Sequence, residues 1–130
     1  MGADMDPELL ELTTKIFGFA RQGDAASLAT YLDAGVSADL RNEAGDTLLM
    51  LATYHGHRDA VAALLDRDAD PTIANDKGQT PLAGAVFKGE TEIVRLLLES
   101  GADPDQGTPS ARDAALMFGK EDLLKLFSDY

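Results

Sequence analysis

Two stretches of the chain repeat one pattern of apolar and polar positions. In each, a threonine, Thr47 or Thr80, precedes an apolar run that closes on a glycine, Gly56 or Gly89. A threonine hydroxyl there can accept from the free N–H groups of a first helical turn, and Pro81 stands where a helix tolerates a missing N–H. Glycine closes such a helix in the left-handed conformation. The pattern thus predicts a first helix from each threonine to each glycine. A second helix follows, because Val61, Leu64 and Leu65, or Val94, Leu97 and Leu98, lie at the spacing of one apolar stripe. Asp66, Arg67, Glu92, Arg95 and Glu99 supply the polar face. Asn42 with Gly45, and Asn75 with Gly78, then predict a tight turn projecting away from the helix pair.

The two stretches are copies of one unit. Gly23, Gly56 and Gly89 fall 33 residues apart, as do Thr14, Thr47 and Thr80, and Leu32, Leu65 and Leu98. Laid without a gap over residues 76–108, residues 43–75 share 11 identities in 33, mostly small, apolar or turn-forming. Those are the positions a repeated supersecondary unit holds fixed.

At this point the chain resembles the ankyrin repeat family. Asp76-Lys77-Gly78-Gln79-Thr80-Pro81-Leu82 resembles the family's hairpin and T-P-L opening, and Ala85 with Gly89, Val94 through Leu98, and Gly101-Ala102-Asp103 resemble the rest of its consensus. Residues 43–75 match through Gly45, Thr47, Leu49, Ala52, Gly56-His57 and Val61 through Leu65. The resemblance implies an all-α ankyrin-repeat solenoid of stacked helix-turn-helix units with short β-hairpin-like turns. It divides residues 1–130, taken as a single domain, into an N-terminal cap at 10–42, full units at 43–75 and 76–105, and a C-terminal cap at 106–130.

Both caps depart from the consensus. The first keeps Thr14, Gly23, Leu28, Leu32 and Gly35 but carries Phe17 and Phe19, with Asp6-Pro7-Glu8 offering an N-cap, an N1 proline and an early acid. The last puts Ser110 at the threonine position and reaches Gly119 only 30 residues after Gly89, which predicts a shortened hairpin. The histidine that usually follows T-P-L is replaced by Met50 and Ala83, so coupling between units should lean on apolar packing. Asp68 replaces the glycine found at Gly35 and Gly101, where a left-handed residue is expected, at a cost of roughly 1 kcal/mol. Gly84 interrupts a first helix, and close helix approach is the favoured explanation over a ligand groove.

Composition narrows the function. The 130 residues carry 11 Lys and Arg against 23 Asp and Glu, a formal charge of −12. That balance works against nucleic acid and against anionic lipid as partners. With no cysteine there is no disulfide framework, thiolate metal site or cysteine nucleophile. No apolar run approaches the length needed to span a bilayer, and the acidic start lacks a signal peptide's basic and apolar regions, so a cytoplasmic protein is expected.

No catalytic signature stands out. The serines lack a nucleophile elbow, and no phosphate-cradling glycine pattern occurs. His55 and His57 flank a helix-ending glycine, so their rings should diverge instead of converging on a metal. A calcium loop beginning at Asp66 would need glycine where Pro71 stands and glutamate where Lys77 stands. The expectation is therefore a non-enzymatic protein with no cofactor and no metal.

The resemblance carries partner-reading positions onto the hairpins and onto the two residues before each helix-ending glycine. In unit two these are Arg41, Glu43, Ala44, Asp46, Tyr54 and His55. In unit three they are Ala74, Asp76, Lys77, Gln79, Phe87 and Lys88. The caps add Arg21 and Gln22 at one end and Met117 and Phe118 at the other. Tyr54, Phe87 and Met117 should form an aromatic and thioether stripe on the concave face, which carries four basic and three acidic residues against the acidic remainder. These positions imply a protein-protein interaction module that is monomeric when unbound. An inhibitor or antitoxin-like neutraliser of an enzyme is an alternative, and a small-molecule or metal-binding enzyme using His55 is another.

Overall fold

The computed structural model describes residues 7–130. Eight helices occur among them: α1 (Pro7–Gln22), α2 (Ala25–Asp33), α3 (Leu48–Tyr54), α4 (Arg58–Leu65), α5 (Pro81–Lys88), α6 (Thr91–Glu99), α7 (Ala111–Met117) and α8 (Glu121–Phe127). They pair in sequence, and the pairs stack. The first helices α1, α3, α5 and α7 form one row and the second helices α2, α4, α6 and α8 the other, each packed on its neighbours along the row. The extended segments between pairs form only isolated antiparallel bridges, Arg41 with Thr47 and Gly107 with Ser110.

Capping residues set the helix starts. Thr47, Thr80 and Ser110 are extended, and their hydroxyls accept from the N–H groups of Met50, Ala83 and Asp113, with Pro81 at the first turn of α5. Each hydroxyl is buried with its helix end, so the bond satisfies a donor that water cannot reach. Thr14 behaves differently despite sharing their register. It lies inside the 16-residue α1, where its hydroxyl donates to the Leu10 carbonyl at 2.9 Å. The N-cap expected of Asp6 lies outside the described residues.

One apolar core runs between the two rows. Leu49 and Ala52 of α3, and Leu82 and Ala85 of α5, face Val61 and Leu64 of α4 and Ile93, Val94 and Leu97 of α6, all buried. The last helix closes the stack with Leu123 and Phe127. Asp68 is left-handed at φ 65°, the sole non-glycine with positive φ among the described residues, in the role that Gly35 and Gly101 play with φ of 108° and 99°.

Apolar packing is not the whole of the coupling between units, contrary to the expectation from the missing T-P-L histidine. Arg41 donates from Nη2 to the Ala74 carbonyl at 2.8 Å, and Gln106 Nε2 to the Thr72 carbonyl at 2.6 Å. The Asp70 N–H reaches Asp39 at 2.8 Å, and the Asp76 N–H reaches the Ala44 carbonyl at 3.0 Å. Arg67, just past the end of α4, pairs with Asp33 of α2, and Arg58 of α4 pairs with Glu92 of α6. Gly45 shows how closely the turns press together. With φ at 79°, a Cβ there would sit 2.4 Å from Asp76 Oδ1.

Candidate interaction cleft

The inner row of helices ends in a line of exposed apolar side chains. Tyr54 is 45% exposed, Phe87 60% and Met117 69%, while the core-facing residues of the same helices are buried. A helix of seven or eight residues offers only about two turns. Leu49 and Ala52, Leu82 and Ala85, and Ala111 and Ala115 are buried in the core, which leaves the residue before each closing turn on another sector. Phe118 joins the line, its ring meeting Phe87 edge-on at 5.5 Å. Lys88 Nζ lies 4.9 Å above the Tyr54 ring, a cation–π contact that holds the lysine along this edge.

Beside this line a cleft of about 460 Å³ opens among α3, α5, α7 and the hairpins. Seven of the sequence-selected positions line it: Asp46, Tyr54, Lys77 and Gln79, then Phe87, Met117 and Phe118. Arg21, Gln22, Arg41, Glu43, His55, Asp76 and Lys88 do not. Arg41 is committed elsewhere, its Nε donating to the Gly45 carbonyl at 3.2 Å while Nη2 holds Ala74, so its guanidinium braces two hairpins.

The recessed part of the cleft lies at Gly84, where a groove was the less favoured of two expectations, and its other residues were not anticipated. It is made by Met50, Ala83 and Ala114, all buried, with Leu51 and the half-buried Gly84 beside them. The signal was present in the 33-residue register, where Leu51 aligns with Gly84 and Met50 with Ala83. Gly84 does not mark a close helix approach. A Cβ there would meet Met50 Sδ at 3.7 Å and Tyr54 Cδ1 at 3.9 Å, ordinary contact distances, so the glycine opens space in the groove and relieves no clash.

The polar end of the cleft is organised by Asn75. Its Nδ2 donates to Asp46 Oδ1 at 2.9 Å and to Gln79 Oε1 at 2.8 Å, while its Oδ1 accepts the N–H groups of Lys77 and Gln79 at 3.0 Å each. Both amide hydrogens and both carbonyl lone pairs are used, which locks the amide in place. Asp46 Oδ2, Gln79 Nε2 and Lys77 Nζ have no hydrogen-bond partner among the described residues.

The histidine pair is arranged differently from expectation. The His55 and His57 rings do not diverge but lie 6.3 Å apart with 25° between their planes. His57 is tied to the neighbouring unit, its Nε2–H donating to the Arg21 carbonyl at 2.7 Å. Gly23 permits this approach, since a Cβ there would fall 2.5 Å from the ring. Among the described residues no three His, Asp or Glu side chains cluster in a way that could hold a metal ion.

Shifted titrations belong to the scaffold. Hydrogen bonds from the Ser27 hydroxyl and N–H hold Asp24 below the ordinary aspartate value, and those from Thr72 do the same for Asp70. The bond to Asp33 raises Arg67, and the bond to Asp105 raises Arg112.

Stacked helix pairs with projecting turns, and a register of 33 residues, define a repeat solenoid. The chain belongs to the ankyrin repeat family: the family model for three copies of the ankyrin repeat matches residues 16–108. A curated relative from Pseudomonas aeruginosa, named as an ankyrin repeat protein, is 47% identical over 58 residues, which is 45% of this chain. The match spans 34% of that relative's length. Ankyrin repeats are generally protein–protein interaction modules, and the family is typically non-enzymatic. Among the described residues no helix is long and apolar enough to cross a membrane.

Proposed function

We propose that this chain is a non-enzymatic module that binds a partner protein through its concave face, with the cleft and its aromatic rim as the contact surface. One observation carries the reading: Tyr54, Phe87, Met117 and Phe118 form a continuous exposed line although the core beneath them is already filled. Exposed aromatics and methionine beside a concavity are the composition of interface anchors, and they cost solubility unless a partner covers them. The formal charge of −12 keeps the unbound protein dispersed and repels nucleic acid and anionic lipid. On this reading the protein is a single domain, works in the cytoplasm and is a monomer until its partner binds.

The test is comparative capture from a native extract by the wild-type protein and by a Tyr54→Ala, Phe87→Ala double variant. The proposal expects at least one protein retained by the wild type and lost by the variant, with helical content and melting temperature nearly unchanged. Equal capture by both would overturn it.

A further inference from the structure

The inner helices carry large side chains at one end of the cleft and almost none in its middle. At equivalent positions α3 has Leu51, α5 has Gly84 and α7 has Ala114. The cavity is thus centred on a missing side chain. Around it stand Met50, Tyr54, Phe87 and Met117, polarizable or aromatic groups that accept bulky apolar guests of varied shape. A volume of about 460 Å³ falls within the range of sites that enclose a ligand group.

We propose that this cleft is a socket for a cationic and apolar segment of the partner, in which one bulky apolar side chain lies over Gly84 and a neighbouring Arg or Lys reaches Asp46. The proposal rests on the reading that the concave face is the binding surface, and adds what that surface selects. Charge complementarity decides the flanking residue. Within the cleft Asp46 and Lys77 cancel, and the preference is set by Asp46, because its carboxylate is held in one orientation whereas no partner among the described residues orients Lys77 Nζ. Asn75 fixes the Asp46 carboxylate through Oδ1 and leaves Oδ2 to receive a guanidinium or ammonium. Gln79 Nε2 and Lys77 Nζ are donors without partners among the described residues at the same end, suited to backbone carbonyls of an extended segment.

The test is selection of a displayed library of random dodecapeptides on the immobilised full chain, followed by affinity measurement of the enriched peptides. The Gly84→Leu variant fills the socket with the residue that unit two already carries as Leu51, so the array accommodates it. Enriched peptides should hold Trp, Phe, Leu or Met within two residues of Arg or Lys, and should bind Gly84→Leu roughly tenfold or more weakly. Asp46→Asn keeps an acceptor for Asn75 but removes the charge; it should weaken the same peptides severalfold and flatten the salt dependence of binding. Peptides that need Tyr54 and Phe87 but bind Gly84→Leu normally would overturn the socket and leave the concave-face reading standing. Peptides indifferent to all three residues would overturn both. No enrichment, or enrichment without the apolar and cationic pairing, would overturn the socket.

Discussion

Helices α3 and α5 are built on one plan and present two different surfaces. Their core-facing residues correspond closely, Leu49 with Leu82 and Ala52 with Ala85, and all four are buried. Their inner residues do not correspond: Met50 and Leu51 in α3 become Ala83 and Gly84 in α5. The conserved side of the comparison stacks the units, and the unequal side opens a cleft between them. A repeat protein can thus vary the cleft-facing residues of its inner helices while the core-facing residues of the same helices keep the units stacked.

The sharpest way to break this comparison is through the core. Leu49→Ala and Leu82→Ala should each destabilise by about 2–5 kcal/mol, since each empties a fully enclosed site. Urea unfolding of the two variants should give similar losses; a large loss for one and almost none for the other would show that the two units are not equivalent supports.

A smaller effect sharpens the one place where the buried sides differ. Thr53 aligns with Val86, and both are fully buried, yet the Thr53 hydroxyl has no hydrogen-bond partner among the described residues. Thr53→Val should therefore stabilise by about 1 kcal/mol, because it removes a desolvated polar group and preserves the branched shape. A lowered melting temperature would mean that the hydroxyl is satisfied in solution.

The closing turns offer a comparable test. Asp68 holds φ 65° where the other units use Gly35 and Gly101. Asp68→Gly should raise stability by roughly 1 kcal/mol by relieving the clash between Cβ and the backbone, partly offset by the greater freedom of the unfolded chain. An unchanged or lower melting temperature would contradict that assignment.

The smallest expected effect depends on pH. Asp24 caps α2 and is held below the ordinary aspartate value by the Ser27 hydroxyl and N–H. A carboxylate with a depressed folded pKa stabilises the fold above its unfolded value, about 3.9, and loses that contribution as pH falls through the folded value. The melting temperature of Asp24→Asn should lie below that of the wild type near neutral pH, and the gap should close as pH falls below about 4. A gap that is constant across this range would mean that the carboxylate charge contributes nothing at the cap.

Helix positions could be read from local chemistry because each signal lies inside one unit. Thr47, Thr80 and Pro81 mark starts, and the valine and leucine stripes mark the buried faces. Asp68 was readable for the same reason, since the register set it against two glycines. Thr14 shares the register of Thr47 and Thr80 yet lies mid-helix, and the earlier start of that helix was legible in Pro7, the first residue of α1. The cleft depends on how α3, α5 and α7 sit beside one another, and single positions do not report that. The Leu51 and Gly84 mismatch was its trace. Arg41 was chosen as a partner-reading residue, yet its guanidinium is occupied by the Gly45 and Ala74 carbonyls. An exposed charge and a bracing charge look alike until the neighbouring hairpin is placed beside it.

On the proposed reading, the exposed line on the inner helices binds and the core beneath it folds the chain. Calorimetric titration of a captured partner into wild-type protein and into the Tyr54→Ala, Phe87→Ala variant tests it most directly. Binding should be at least tenfold weaker for the variant, with a thermal unfolding curve that nearly overlays the wild type. Equal affinity, or lost affinity accompanied by lost folding, would contradict it.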